Sequence, residues 1–212
     1  LTIVNALPVL ASVAVNPPTG NRYTTFACDA SGGFDADGDT VQITYEWLVD
    51  GNAVAGQTGT SYTPSDQDPG SAIQCRVTPN DGFVDGLQVV SQSVVLTNTP
   101  PTISTVELTP VNANTTHDLT CDTTGVADPD GDPVNVIFQW YADGAVVVGQ
   151  TGAMLGNDHT ESGTQVSCSA TPSDGFSTGP TLTSGTVSIQ NTPPGMPTLA
   201  IEPAPAGTMH DL

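Results

Sequence analysis

Lysine is absent from this 212-residue chain and arginine occurs only at Arg22 and Arg76, against 22 acidic residues, for a formal charge of −20. A surface so poor in cations repels nucleic acid and anionic lipid, and its natural counterparts are dissolved cations or basic surfaces. Long apolar runs are missing as well. No stretch approaches the roughly 18 residues that span a bilayer, so the sequence predicts no membrane insertion for this segment. There is no CxxC pair and no neighbouring Cys and His set, which argues against a zinc site. No nucleophile motif surrounds any serine, and the histidines at 117, 159 and 210 have no partners of that kind, so catalysis is not expected. No segment shows a helical hydrophobic period.

What the chain does have is a repeat. Cys28, Trp47 and Cys75 recur as Cys121, Trp140 and Cys168, each 93 residues on, with no insertion between the copies. The same step aligns Asn5-Ala6-Leu7-Pro8 with Asn98-Thr99-Pro100-Pro101 and Asn191-Thr192-Pro193-Pro194. These are read as junctions, stiffened in the latter two by a Pro-Pro pair. The expected organisation is therefore residues 1–4 as the end of a preceding repeat, 5–97 and 98–190 as two full repeats, and 191–212 as the start of a third. Two cysteines at identical positions in each repeat favour one disulfide per module, with buried free thiols as the alternative. Oxidised cysteines imply an extracellular or cell-surface location.

Within a repeat the hydrophobic period is two. Val41, Ile43, Tyr45, Trp47 and Val49 alternate with Gln42, Thr44, Glu46 and Leu48, and Val134, Val136, Phe138, Trp140 and Ala142 occupy the corresponding face one repeat later. Asp50-Gly51 and Asp143-Gly144 follow at once, the dipeptide of a tight hairpin turn. Ile73, Cys75 and Val77, with their copies Val166, Cys168 and Ala170, form another inward row. The last strand of each repeat is expected to break near Ser91 or Gly185 at a bulge. Several short strands separated by Gly, Pro and Asp turns predict an all-β, two-sheet sandwich.

The Cys, Trp, Cys spacing resembles the immunoglobulin-like (Ig-like) fold. More narrowly, the Asn-Thr-Pro-Pro junction, the Asp-Pro-Asp-Gly-Asp loop and the Thr-Pro-Ser-Asp-Gly turn resemble tandem Ig-like and PKD-like repeats of large bacterial surface proteins. The resemblance implies Cys28 on strand B, Trp47 on strand C and Cys75 on strand F, with an intersheet disulfide packed against the tryptophan. One position departs from it: the tyrosine-corner site holds Ile73 and Val166.

Asp35, Asp37 and Asp39, and their copies Asp128, Asp130 and Asp132, place three carboxylates within five residues, a density suited to calcium, although the glycine position differs from that of an EF-hand loop. In an Ig-like topology these B to C loops share a pole with the F to G turns at Asp81 and Asp174, which completes the expected metal set. A solvated turn is the plainer reading. The acidic pole would face the preceding module, close to the Asn98–Pro101 junction and within reach of Asp66 and Asp68, so that calcium would stiffen the joint.

The function expected is a structural repeat of an extracellular filament, stalk or giant surface protein. Its partners would be neighbouring repeats of the same polypeptide or like subunits in a fibre. An adhesin or carbohydrate-binding array recognising a glycan or receptor is the alternative, and an accessory region of a secreted hydrolase a third class.

Overall fold

In the computed structural model, residues 4–196 are described, and their regular structure is almost wholly β, with one short 3-10 turn at Asn157–His159. Residues 1–3 of the expected leading tail and 197–212 of the expected third repeat, His210 among them, lie outside the described residues.

The first repeat contributes β1 (Ser12–Asn16), β2 (Phe26–Ser31), β3 (Gln42–Val49), β4 (Asn52–Ala53), β5 (Ser61–Tyr62), β6 (Ala72–Asn80), β7 (Val89–Val90) and β8 (Val94–Val95). One sheet runs β1-β2-β5; the other runs β4-β3-β6-β7, with β8 also on β6. The second repeat copies this with β9 (Thr105–Thr109), β10 (Leu119–Thr124), β11 (Asn135–Ala142), β12 (Ala145–Val146), β13 (Met154–Leu155), β14 (Gln165–Ser173), β15 (Leu182–Thr183) and β16 (Val187–Ser188). Its sheets run β9-β10-β13 and β12-β11-β14-β15, with β16 on β14. Both repeats are Ig-like sandwiches.

The alternation written in the sequence produces the core. Along β6 every second residue is buried, so Ile73, Cys75 and Val77 face inward from one sheet while Val15, Phe26, Cys28 and Tyr62 face them from the other. Cys28 and Cys75 close a disulfide across the sheets, as do Cys121 and Cys168, with Cα separations of 6.0 and 6.1 Å. Trp47 lies directly opposite Cys75 in the β3–β6 register and is fully buried. The Asp-Gly turns have positive φ at both central residues, 51° and 79° at Asp50-Gly51 and 49° and 80° at Asp143-Gly144. This backbone twist matches that of the strands it joins.

The last strand of each repeat is interrupted as the serine and glycine positions suggested, and the structure shows how. Ser91 Oγ accepts the Cys75 amide at 3.0 Å, and Ser184 Oγ accepts the Cys168 amide at 3.0 Å, so a buried hydroxyl takes the place of a ladder carbonyl where the strand splits. Each hydroxyl donates onward to the next residue's carbonyl, so the buried hydroxyl is satisfied as both donor and acceptor.

The junction prolines lie against two glycines that precede this last strand. A Cβ built on Gly86 or Gly179 would drive into the carbonyl oxygen of Pro8 or Pro101 respectively, backbone that has no flexible end to move aside. Gly179→Ala is therefore expected to destabilise the protein by about 1–3 kcal/mol, the usual cost of overpacking. A lowered denaturation midpoint checks it; Gly175→Ala, where the added Cβ would meet nothing but φ is 91°, separates backbone strain from the clash.

Contacts group the chain into two compact units. The first comprises Leu1–Val106, Thr123–Ile137 and Ala170–Leu182; the second comprises Glu107–Asp122, Phe138–Ser169 and Thr183–Leu212. The first unit thus holds, besides the first repeat, the acidic loop and the Asp174 turn of the second repeat.

Candidate functional site

Each acidic loop is curled by its own first aspartate. Asp35 Oδ1 accepts the amides of Asp37 and Asp39 at 2.8 and 3.3 Å, and Asp128 Oδ1 accepts those of Asp130 and Asp132 at 2.8 and 3.1 Å. Gly38 and Gly131, with φ of 87° and 91°, allow the chain to turn between them. The curl draws one oxygen from each of Asp35, Asp37 and Asp39 to within 4.8 Å of one another, and the same holds for Asp128, Asp130 and Asp132. Asp35 is only 5% exposed, and its Oδ2 is buried with no hydrogen-bond partner; Asp128 Oδ2 is buried and unpartnered too.

Asp81 and Asp174, expected in the same metal set, have a different chemistry. Asp81 Oδ1 accepts the amides of Phe83 and Val84, both at 2.8 Å, while Oδ2 accepts Asn5 Nδ2 at 2.8 Å. Asp174 Oδ1 accepts the amides of Phe176 and Ser177, and its Oδ2 accepts Asn98 Nδ2 at 2.8 Å and Ser177 Oγ at 3.1 Å. Burial pushes the Asp174 pKa up, but the donors from Ser177, Asn98 and Phe176 outweigh it and hold the carboxyl at about 2. Asp81 is lowered as well, first by Asn5 and then by the Val84 amide. Both act as anchors of their turns, with every oxygen already taken by a donor.

The asparagines that open each junction supply a connection that sequence reasoning did not single out. Asn5 reaches the Asp81 turn while the next amide, Ala6, donates to Asp37 Oδ2 at 2.6 Å. Asn98 reaches the Asp174 turn while the Thr99 amide donates to Asp130 Oδ2, and the Thr99 hydroxyl lies 3.2 Å from Asp130 Oδ1. One dipeptide therefore ties both loops of a pole together. The recurrence of Asn at the 93-residue step was the available signal.

A second group was also missed. Asn21 Nδ2 donates to Asp130 Oδ1 at 3.1 Å, Tyr23 Oη donates to Asp132 Oδ1 at 2.9 Å, and the Arg22 guanidinium lies 5.5 Å from the Phe176 ring centre. All these residues belong to the first compact unit. The Asp132 carboxylate raises the Tyr23 pKa, since deprotonation would break the bond and place two negative charges side by side. Arg76 is paired with Glu46 across β3 and β6, so among the described residues Arg22 is the cation available to the acidic loops. The Arg22 guanidinium also donates to the Ser65 carbonyl, next to Asp66; Asp66 and Asp68 are both exposed.

The first repeat has the same pole, and no counterpart of the Asn21–Tyr23 loop covers it among the described residues. Asn5, Asp37, Asp39 and Phe83, the copies of Asn98, Asp130, Asp132 and Phe176, line an open depression of about 520 Å³. Phe83 is 78% exposed where Phe176 is 43% exposed. Of the histidines, His117 Nδ1 accepts the Asn114 amide at 3.1 Å in a turn, and His159 lies 3.7 Å from Asp158 in the 3-10 turn.

No protein-family model matches the chain. The Highly immunogenic outer capsid protein of Enterobacteria phage T4 is 31% identical over 147 residues, covering 67% of this chain and 38% of that protein. The chain therefore spans little more than a third of that relative's length. Among solved structures, the three N-terminal domains of the bacteriophage RB49 Highly Immunogenic Outer Capsid protein (Hoc) align over 86% of this chain and 59% of theirs, with a TM-score of 0.32 and 15% identity. The chicken CNTN1 FN1-FN3 domains align over 90% of this chain and 69% of theirs, with a TM-score of 0.37 and 15% identity. The Ig-like assignment rests on the strand topology and the intersheet disulfides described above.

Proposed function

We propose that this chain is a non-enzymatic structural segment of an extracellular or surface-displayed protein, in which Ig-like repeats are joined by a polar lock. The observation that carries the reading is the seating of Asn21, Arg22 and Tyr23 on Asp130, Phe176 and Asp132. The contact combines two hydrogen bonds to carboxylates with a guanidinium over an aromatic ring. It fixes one repeat's loop against the next repeat's pole without requiring a large apolar interface. Two disulfides suit an oxidising exterior, and the phage T4 relative is an outer capsid protein. The open depression of the first repeat is the surface on which an equivalent module would dock.

Arg22→Ala combined with Tyr23→Phe removes the ring contact, worth about 0.5–1 kcal/mol at exposed sites, and the phenol's hydrogen bond. Small-angle scattering of the variant is expected to fit a broader range of conformations than the unaltered chain, with near-ultraviolet circular dichroism unchanged because both cores persist. Superimposable scattering curves would remove the basis for the lock.

An adhesive array is the second reading, favoured by the exposure of Phe83 beside Asp37 and Asp39. An aromatic face flanked by carboxylates suits a sugar or a basic peptide. Binding to a glycan array, abolished by Phe83→Ala, would move the assignment to that reading.

A further inference from the structure

The first acidic loop holds an electrostatic conflict that its own hydrogen bonds do not relieve. Asp35 is 95% removed from solvent, its Oδ1 is fixed by two amides, and its Oδ2 is left buried without a donor. A buried carboxylate oxygen without a partner is among the costlier features a fold can carry. One carboxylate oxygen from each of Asp35, Asp37 and Asp39 lies within 4.8 Å of the other two, adding like charge. Asp37 receives one amide, from Ala6, and Asp39 accepts no hydrogen bond among those of the described residues.

We infer that Asp35, Asp37 and Asp39 form a calcium site, with Asp35 Oδ2 as its buried ligand and water completing the shell. A divalent cation removes the orphaned oxygen and the repulsion together. The donor set is all oxygen, with neither His nor Cys nearby, which selects a hard cation over zinc or copper. Ligands on opposite sides of calcium lie about 4.8 Å apart, twice a bond of roughly 2.4 Å, so three oxygens within that span fit one ion. Magnesium draws its ligands closer and holds its waters in a strict octahedron, which a flexible five-residue loop does not impose.

The second repeat provides an internal contrast. There Asp130 is taken by Asn21, by the Thr99 hydroxyl and by the Thr99 amide, and Asp132 by Tyr23. Protein donors already neutralise part of the charge that calcium neutralises in the first loop. The first site is thus the tighter of the two.

Calorimetric titration of the whole chain with calcium tests this. A tighter site of about 0.1–1 mM dissociation constant is expected, in the range of extracellular modules, with magnesium at least tenfold weaker. Asp39→Asn removes charge at a position that accepts no hydrogen bond, so it leaves the loop folded and lowers affinity at least tenfold. Asp35→Asn keeps Oδ1 as the acceptor for both amides and does the same, whereas Asp128→Asn leaves the tighter site unchanged. No uptake at about 10 mM calcium, or wild-type affinity in both first-loop variants, overturns the assignment. So does loss of the tighter site in Asp128→Asn.

Discussion

Trp47→Ala is expected to destabilise the first repeat by about 3–5 kcal/mol, as large-to-small changes at buried aromatics do. The indole is fully buried, lies opposite Cys75 in the register, and has its ring centre 5.6 Å from that of Tyr62 at an interplanar angle of 42°. Its removal leaves a cavity bordered by a disulfide that the remaining side chains cannot readily collapse into. The Gly59 carbonyl also loses the Nε1 hydrogen bond of 2.9 Å. A module of this size has about 5–14 kcal/mol in all, so the substitution removes from about a fifth of its stability to nearly all of it. Trp47→Phe retains most of the packing and loses the donor, and is expected to cost less. Because the chain has two tryptophans, one in each repeat, the fluorescence of Trp140 in the Trp47→Ala variant follows the second repeat alone while circular dichroism follows both. A loss below about 1 kcal/mol would mean the site collapses, and that the spacing from Cys28 to Trp47 does not mark the centre of the core.

That centre was legible in the sequence because a sandwich core is a matter of period and distance. Alternation in β3 and β6 places Ile73, Cys75 and Val77 at zero exposure, and the fixed offsets of the cysteines bring β2 and β6 into facing sheets. The Asp-Gly turns were legible for a local reason: few residue pairs tolerate two positive φ values. The acidic pole was legible only in part. The triads are written in a row, and their convergence follows from the curl that Asp35 and Asp128 impose. The anchoring role of Asp81 and Asp174 depends on counting donors: a turn aims two amides at one oxygen and an asparagine at the other, and residue type alone does not reveal this.

The lock was hidden for another reason. Asn21 and Asp130 are 109 positions apart, as are Tyr23 and Asp132, and a reading built on what recurs discards what does not. The second repeat has Asn114-Thr115-Thr116 where the first has Asn21-Arg22-Tyr23. The charge deficit did point there, since in a chain with two arginines each one is a rare contact to be placed. Gly86 and Gly179 were hidden likewise, because a glycine needed for close approach to a proline carbonyl looks, in sequence, like any turn glycine.

Removing the Cys28–Cys75 bridge as Cys28→Ala with Cys75→Ala is expected to cost the first repeat about 4 kcal/mol, most of it through the unfolded state. The bridge closes a loop of 47 residues, and freeing those ends restores chain entropy that the oxidised protein never has. Native packing should change far less, since the surrounding residues stay buried between two hydrogen-bonded sheets. The expected signature is a denaturation midpoint that falls while near-ultraviolet circular dichroism under native conditions keeps its form. Combination with Trp47→Ala should fall short of the sum of the two losses, because the tryptophan and both cysteines belong to one buried cluster and share the cavity that either change opens. Reduction with dithiothreitol should lower both repeats, whereas the alanine pair lowers only the first, leaving the Cys121–Cys168 module as the reference transition in the same chain. An unchanged midpoint on reduction would mean that sheet packing alone specifies each sandwich, and that the cysteines contribute no more than any buried apolar pair.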